Sequence, residues 1–162
     1  MKNILFSLLL ALLLGCSGPP PIRTGLEGKK LPSFNLLLMD SATKLNTDAI
    51  PAGKPIVLLY FSPECPFCQA ETEEIVSRIQ SLSDIRFYFF TPYPFGQLRN
   101  YYSHYELEKY PNITVGRDYT ASFGRYFKTQ AVPYMAIYNK DKRLKQVYIG
   151  KLSAGEIKDI AF

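Results

Sequence analysis

Residues 57–68 read VLLYFSPECPFC. The run from Pro55 to Phe61 is unbroken apolar and aromatic sequence, the pattern of a central strand buried on both faces. Ser62-Pro63 ends it, and Cys65 and Cys68 follow at CxxC spacing. In the segment QAETEEIVSRIQSL, Ile75, Ile79 and Leu82 then recur at helical spacing, while Glu71, Glu73 and Glu74 suit the opening turns of a helix. Two cysteines therefore sit where a buried strand hands over to a helix. Free N–H groups and partial positive charge at a helix N-terminus stabilise a thiolate, and a CxxC pair there is a common redox arrangement. Cys65 falls at the exposed helix start. Cys68 lies one turn deeper and close enough to close a disulfide. Pro66 fits the first turn, where its missing N–H costs nothing.

Upstream, Ser33–Met39 predicts a strand, with a short second strand at Lys44–Asn46 beyond the turn at Asp40-Ser41. Ile85–Phe90 is a second buried strand. Gln97–Glu108 predicts a helix closed by Pro111, Ile113–Val115 a short edge strand, and Ala121–Phe127 a short helix. Pro133–Tyr138 and Leu144–Ile149 form an antiparallel hairpin through the turn at 139–142. Ser153 with Glu156 three positions on announces a last helix over Ser153–Ile160. The layout is α/β with a mixed sheet.

The N-terminus reads MKNILFSLLLALLLGCS. Lys2 precedes an apolar run from Ile4 to Leu14, about half of what a bilayer-spanning helix needs but right for a secretory leader. The run ends in Gly15-Cys16 and resembles a bacterial lipobox, which implies that Cys16 is acylated and becomes the first residue after cleavage. Multiple acyl chains anchor stably without a transmembrane helix. Leu14 is bulkier than usual there. Ser17, in place of an Asp, tips the expected destination from the inner to the outer membrane. The expected organisation is a leader over 1–15, a lipidated Cys16 with a Gly/Pro/Lys-rich tether over 16–30, and one domain over 31–162.

Composition narrows the function. The chain has 162 residues, 47% apolar and 20% charged, ordinary for a single folded domain. Its formal charge of +5 is spread over scattered lysines, which with export argues against nucleic acid as a partner. A structural zinc site needs four ligands, and beyond Cys16 the chain offers Cys65, Cys68 and His104. No metal or cofactor is expected. An inert Cys65–Cys68 disulfide stays open, although so short a loop gains little unfolded-state entropy. His104 reads as a surface or packing residue. Ten of the 12 tyrosines fall between 88 and 138, as core packing or as an exposed groove near the cysteines. The loop Pro92-Tyr93-Pro94 would border that site.

These features together resemble the thioredoxin superfamily, in its exported TlpA-like (redoxin) branch of thiol–disulfide oxidoreductases. The likeness runs over residues 29–160 and rests on VLLYFSPECPFC, on the preceding residues 28–59 as an N-terminal β-hairpin extension, on Val132-Pro133 and on the following YMAIYNKDKRL. It implies a thioredoxin-like fold, a central mixed β-sheet flanked by helices. It also implies that Cys65 attacks a partner disulfide, that Cys68 resolves the mixed disulfide, and that Pro133 is a cis-proline facing the pair. Glu71 matches a CxxCxxE pattern in which the acid lies near the site; a solvated helix-dipole carboxylate is the plainer alternative. Pro66, Phe67, Val132 and Tyr134 are the implied substrate contacts, Tyr134 being the foremost candidate for an exposed aromatic. The implied partners are exported thiol or disulfide proteins and a membrane thiol transporter or other redox donor, with the protein facing the periplasm on its lipid anchor. Two departures stand out: Glu64 replaces the usual Trp and opposes negative charge beside it, and Leu59 replaces the buried Asp of thioredoxin. Reduction is the favoured direction. A peroxiredoxin-like thiol peroxidase is a weaker reading, since Ser62 is in place but Leu58 replaces the expected proline. So is a soft-metal carrier, which lacks Met or His clusters.

Overall fold

The computed structural model describes residues 19–162, so the leader expected over 1–15 and the lipidation expected at Cys16 lie outside the described residues. Among the described residues, seven strands, β1 (Asn35–Leu38), β2 (Lys44–Asn46), β3 (Ile56–Tyr60), β4 (Arg86–Thr91), β5 (Ile113–Arg117), β6 (Tyr134–Tyr138) and β7 (Leu144–Ile149), form one sheet in the order β2-β1-β5-β4-β3-β6-β7. The neighbours β3, β4 and β5 are parallel, and every other pairing is antiparallel. The helices are α1 (Pro66–Ser77), α2 (Phe95–His104), α3 (Ser122–Phe127) and α4 (Ala154–Ala161).

The alternation of side chains along β3 divides the core in two. Val57, Leu59 and Phe61 face α1, α2 and α4, meeting Ile75, Leu98 and Ile157. Ile56, Leu58 and Tyr60 face the other way, toward Phe123 and Phe127 of α3 and Leu31 and Phe34 of the N-terminal segment. All five β3 residues are buried, which explains the continuous apolar run. Helix α4 begins with the expected capping box, Ser153 accepting from the Glu156 N–H and Glu156 accepting from the Ser153 N–H.

Three expectations change. The strand at 113 is not an edge: β5 pairs with β4 on one side and takes β1 on the other. The helix expected over Gln97–Glu108 starts at Phe95 and stops at His104, because Glu106 adopts a left-handed conformation (φ 49°) and Leu107–Lys109 is a separate 3-10 turn. The second half of the tether is joined to the domain. Ile22 N–H donates to Val147 O (2.8 Å), Gly28 N–H to Leu144 O (2.8 Å) and Leu31 N–H to Lys142 O (2.9 Å), so residues 22–31 run antiparallel along β7 as a strap.

Candidate active site

Helix α1 begins at the carboxyl end of β3, and Cys65 is its N-cap residue, with Pro66 in the first helical position. The Cys65 N–H donates to Ser62 O (3.1 Å) and the Cys65 carbonyl accepts from Gln69 N–H (3.0 Å), which fixes the turn. No acidic side chain stands in the first turn of α1, since Glu71, Glu73 and Glu74 all come later in the helix. The partial positive end is therefore left to the Cys65 sulfur. Cys65 is half-buried, Cys68 is buried and both thiols are free.

Three chain segments converge on the pair. Val132-Pro133 is a cis peptide bond, as expected, and Cys65 Sγ donates to Val132 O at 3.9 Å. From α2, the Tyr101 hydroxyl donates to Cys68 O (3.0 Å) and lies 2.6 Å from Thr72 Oγ1. With its one proton committed to Cys68 O, the Tyr101 oxygen accepts from Thr72. The third segment is the turn before α4, reached by Glu71.

Glu71 is fully buried and is not on a solvated face. It lies one turn beyond Cys68 on the same side of α1. Its Oε2 accepts from Leu152 N–H (2.8 Å), and Oε1 has no hydrogen-bond partner among the described residues. Burial pushes its carboxyl up to about 8, against the lowering pull of the Leu152 N–H and of Lys151. Burial likewise raises the Cys68 thiol, and hydrogen bonding and negative charge at Cys65 with the Glu71 carboxylate add to it; a backbone hydrogen bond of Ser62 opposes. Leu59 lies in the same core face as Cys68. The position beneath the pair on β3 is thus apolar, and the acid comes instead from α1.

Around the cysteines, Pro66 and Phe67 are exposed, Phe67 to 68%. Val132 is half-buried and shares a cleft of about 430 Å³ with Phe61, Tyr93 and Gln130, so the 92–94 loop does border the site. A second cleft of about 400 Å³ on the α2 side is lined by Glu64, Gln69, Gln97 and His104; Gln97 Nε2 donates to Glu64 Oε1 (3.3 Å). Tyr134 corrects the expectation of an exposed substrate contact. It is 2% exposed and packs on Phe123 and Phe127 across the opposite face of the sheet, because the residue after Pro133 enters β6 pointing away from the cysteines. Sequence reasoning missed Tyr101, Thr72 and the Leu152 N–H. Nothing local marks them, since each acts across a tertiary contact.

A family profile described as a thioredoxin-like domain matches residues 45–161. Among curated proteins, none matches the chain. Among solved structures, a secreted Mycobacterium tuberculosis disulfide oxidoreductase homologous to Escherichia coli DsbE is 21% identical, with a TM-score of 0.65 over 79% of this chain and 93% of that one. StoA from Bacillus subtilis is 12% identical (TM-score 0.61, 81% and 97%). A putative thiol:disulfide interchange protein DsbE from Chlorobium tepidum is 13% identical (TM-score 0.63, 83% and 92%). At these identities the likeness is one of fold.

Proposed function

The chain belongs to the thioredoxin-like domain family, and from that premise we propose that it is a thiol–disulfide oxidoreductase that reduces disulfides of exported proteins through Cys65 and Cys68. The observation that carries the reading is the Cys65 sulfur at the N-cap of α1, 3.9 Å from the carbonyl before cis-Pro133, with a buried Cys68 one turn on. Disulfide oxidoreductases among the structural neighbours support it.

Cys65 as thiolate attacks one sulfur of a partner disulfide, and the other partner sulfur leaves as a thiolate and takes a proton from solvent. Cys68 then loses its proton and attacks Cys65 Sγ. The partner's remaining sulfur leaves, two electrons have passed to the partner, and Cys65–Cys68 is a disulfide. Val132 O and the exposed Phe67 are placed to meet the partner chain beside the sulfur. The Cys68 proton needs an acceptor in an apolar setting. Glu71, ionised above about 8 and partly so at neutral pH, is that acceptor, directly or through one water.

The N-terminal leader over 1–15, acylation of Cys16, a periplasm-facing position on the outer membrane and a membrane thiol donor complete the proposal. Cys65→Ser is expected to abolish reduction of insulin and Cys68→Ser to trap mixed disulfides; retained turnover in both variants refutes the mechanism. Cys16→Ser should block acylation and the cleavage that follows it, so that the chain carries no acyl groups and its mass changes; unchanged fractionation and mass refute the anchor. A Cys65–Cys68 potential near about −270 mV fits a reductant, and one near about −120 mV refutes that direction.

A further inference from the structure

The strap along β7 determines where the chain leaves the domain. Ile22 bridges Val147 and Lys30 bridges Arg143, both antiparallel, so the strap travels from the Ile149 end of β7 toward its start. That first end is the active-site end of the sheet. Ile149 pairs with Tyr134, Gly150 N–H donates to Pro133 O (3.1 Å), and the preceding Val132 O receives Cys65 Sγ. Pro19 lies there too, since a β-carbon at Gly150 would stand 3.9 Å from Pro19 Cγ. Strap, β7, β6 and β3 are successive neighbours, so the strap exit and Cys65 are separated by about three strand spacings, about 15 Å.

The rest is chain length. Three residue steps join Cys16 to Pro19, at most about 11 Å. A domain of this size is about 35–40 Å across. The tether is thus too short to let the far end, where Lys140 O accepts from Gly53 N–H, exchange places with the active-site end. Were the strap open as far as Gly28, the exit would move beside Leu144, at that far end, on a tether of about 40 Å.

We propose that the strap sets which end of the domain meets the anchoring membrane, and that the dithiol accordingly exchanges with a partner cysteine pair presented within about 25 Å of the bilayer surface, in preference to proteins free in the surrounding fluid. The proposal rests on the anchored-oxidoreductase reading above.

The test couples Cys16 of the full domain to a maleimide lipid while Cys65 and Cys68 are protected as their disulfide. A dye is placed at an azidophenylalanine in position 130, near the cleft, or in position 140, and energy transfer to headgroup acceptors reports height. Transfer is expected to be several-fold stronger from 130 than from 140. The difference should vanish when twelve Gly/Ser residues are inserted between Gly18 and Pro19, and in an Ile22→Pro/Leu26→Ser chain. After reduction, exchange with a disulfide peptide carried on headgroups should fall several-fold in those two chains, while exchange with the same peptide in solution is unchanged. Equal transfer from 130 and 140, or a difference that survives the insertion, overturns the proposal. No exchange with either peptide overturns the oxidoreductase reading itself. An unacylated Cys16 in the native protein overturns the anchor and, with it, the membrane-facing orientation.

Discussion

Buried Glu71 makes the stability of the fold depend on pH. Its ordinary value is 4.5 and burial takes it to about 8. Below 4.5 the carboxyl is protonated folded and unfolded alike, and contributes nothing to pH dependence. Between 4.5 and 8 the unfolded chain has released the proton while the folded chain still holds it. Stability therefore falls as pH rises, by about 1.4 kcal/mol per unit. Over that window the loss reaches about 5 kcal/mol, a large share of the 5–15 kcal/mol typical of a domain. Glu71→Gln keeps an oxygen for Leu152 N–H and cannot ionise. Urea denaturation of the reduced proteins across pH 4 to 9 should give nearly equal stabilities at the acid end. The variant should gain steadily on the wild type to a plateau above pH 8. Titrating groups remote from Glu71 are shared and cancel in the difference, and Cys68, which Glu71 does influence, is pushed up by burial and stays protonated in the folded chain over this window. A difference that stays constant with pH, or one that narrows as pH rises, refutes the assignment of a buried carboxyl forced upward by desolvation.

Three further outcomes are open to measurement. Tyr101→Phe removes the donor to Cys68 O and the acceptor for Thr72, and should cost about 1–2 kcal/mol in denaturant unfolding while slowing release of the mixed disulfide. Lys142 donates to Thr47 O, Asp48 O and Ile50 O (3.4, 2.9 and 2.9 Å), so Lys142→Met should lose about 1–3 kcal/mol, read as a fall in Tm. Phe67, 68% exposed, is free to touch a partner, so Phe67→Ala should leave stability within about 0.5 kcal/mol while raising KM for a protein disulfide and sparing a small-molecule one.

How far the sequence speaks depends on whether the signal is local. The β3 run, the CxxC at a helix start and the Ser153 capping box are each contained in a few consecutive residues, and all appear where they were read. The interior place of β5 was not legible. Its second neighbour is β1, far back in the chain, and Gly116 lets the two backbones approach so closely that a β-carbon there would meet Leu37 O at 3.1 Å. Pro and Gly give residues 22–30 the look of a tether, while their hydrogen bonds are made to β7 and the turn before it, more than a hundred residues away. Glu71 stayed ambiguous for the same reason. Whether a carboxylate in a helix faces water or core is decided by what packs on the helix, here the turn before α4. For Tyr134 the deciding factor is parity: in a strand, neighbouring positions point to opposite faces.

The strap has a counterpart at the other side of the sheet. There the outermost strand is β2, only three residues long, with an exposed Lys44, and short charged edges resist pairing with a second chain. Between them, β2 and the strap close both flanks against strand addition. A nascent or partly unfolded copy in which residues 22–31 have yet to dock exposes the backbone of β7 as a template for another copy. The first cost of damaging Ile22 or Leu26 should therefore appear as self-association during refolding, and the yield of monomer should fall before any native thiol chemistry is lost.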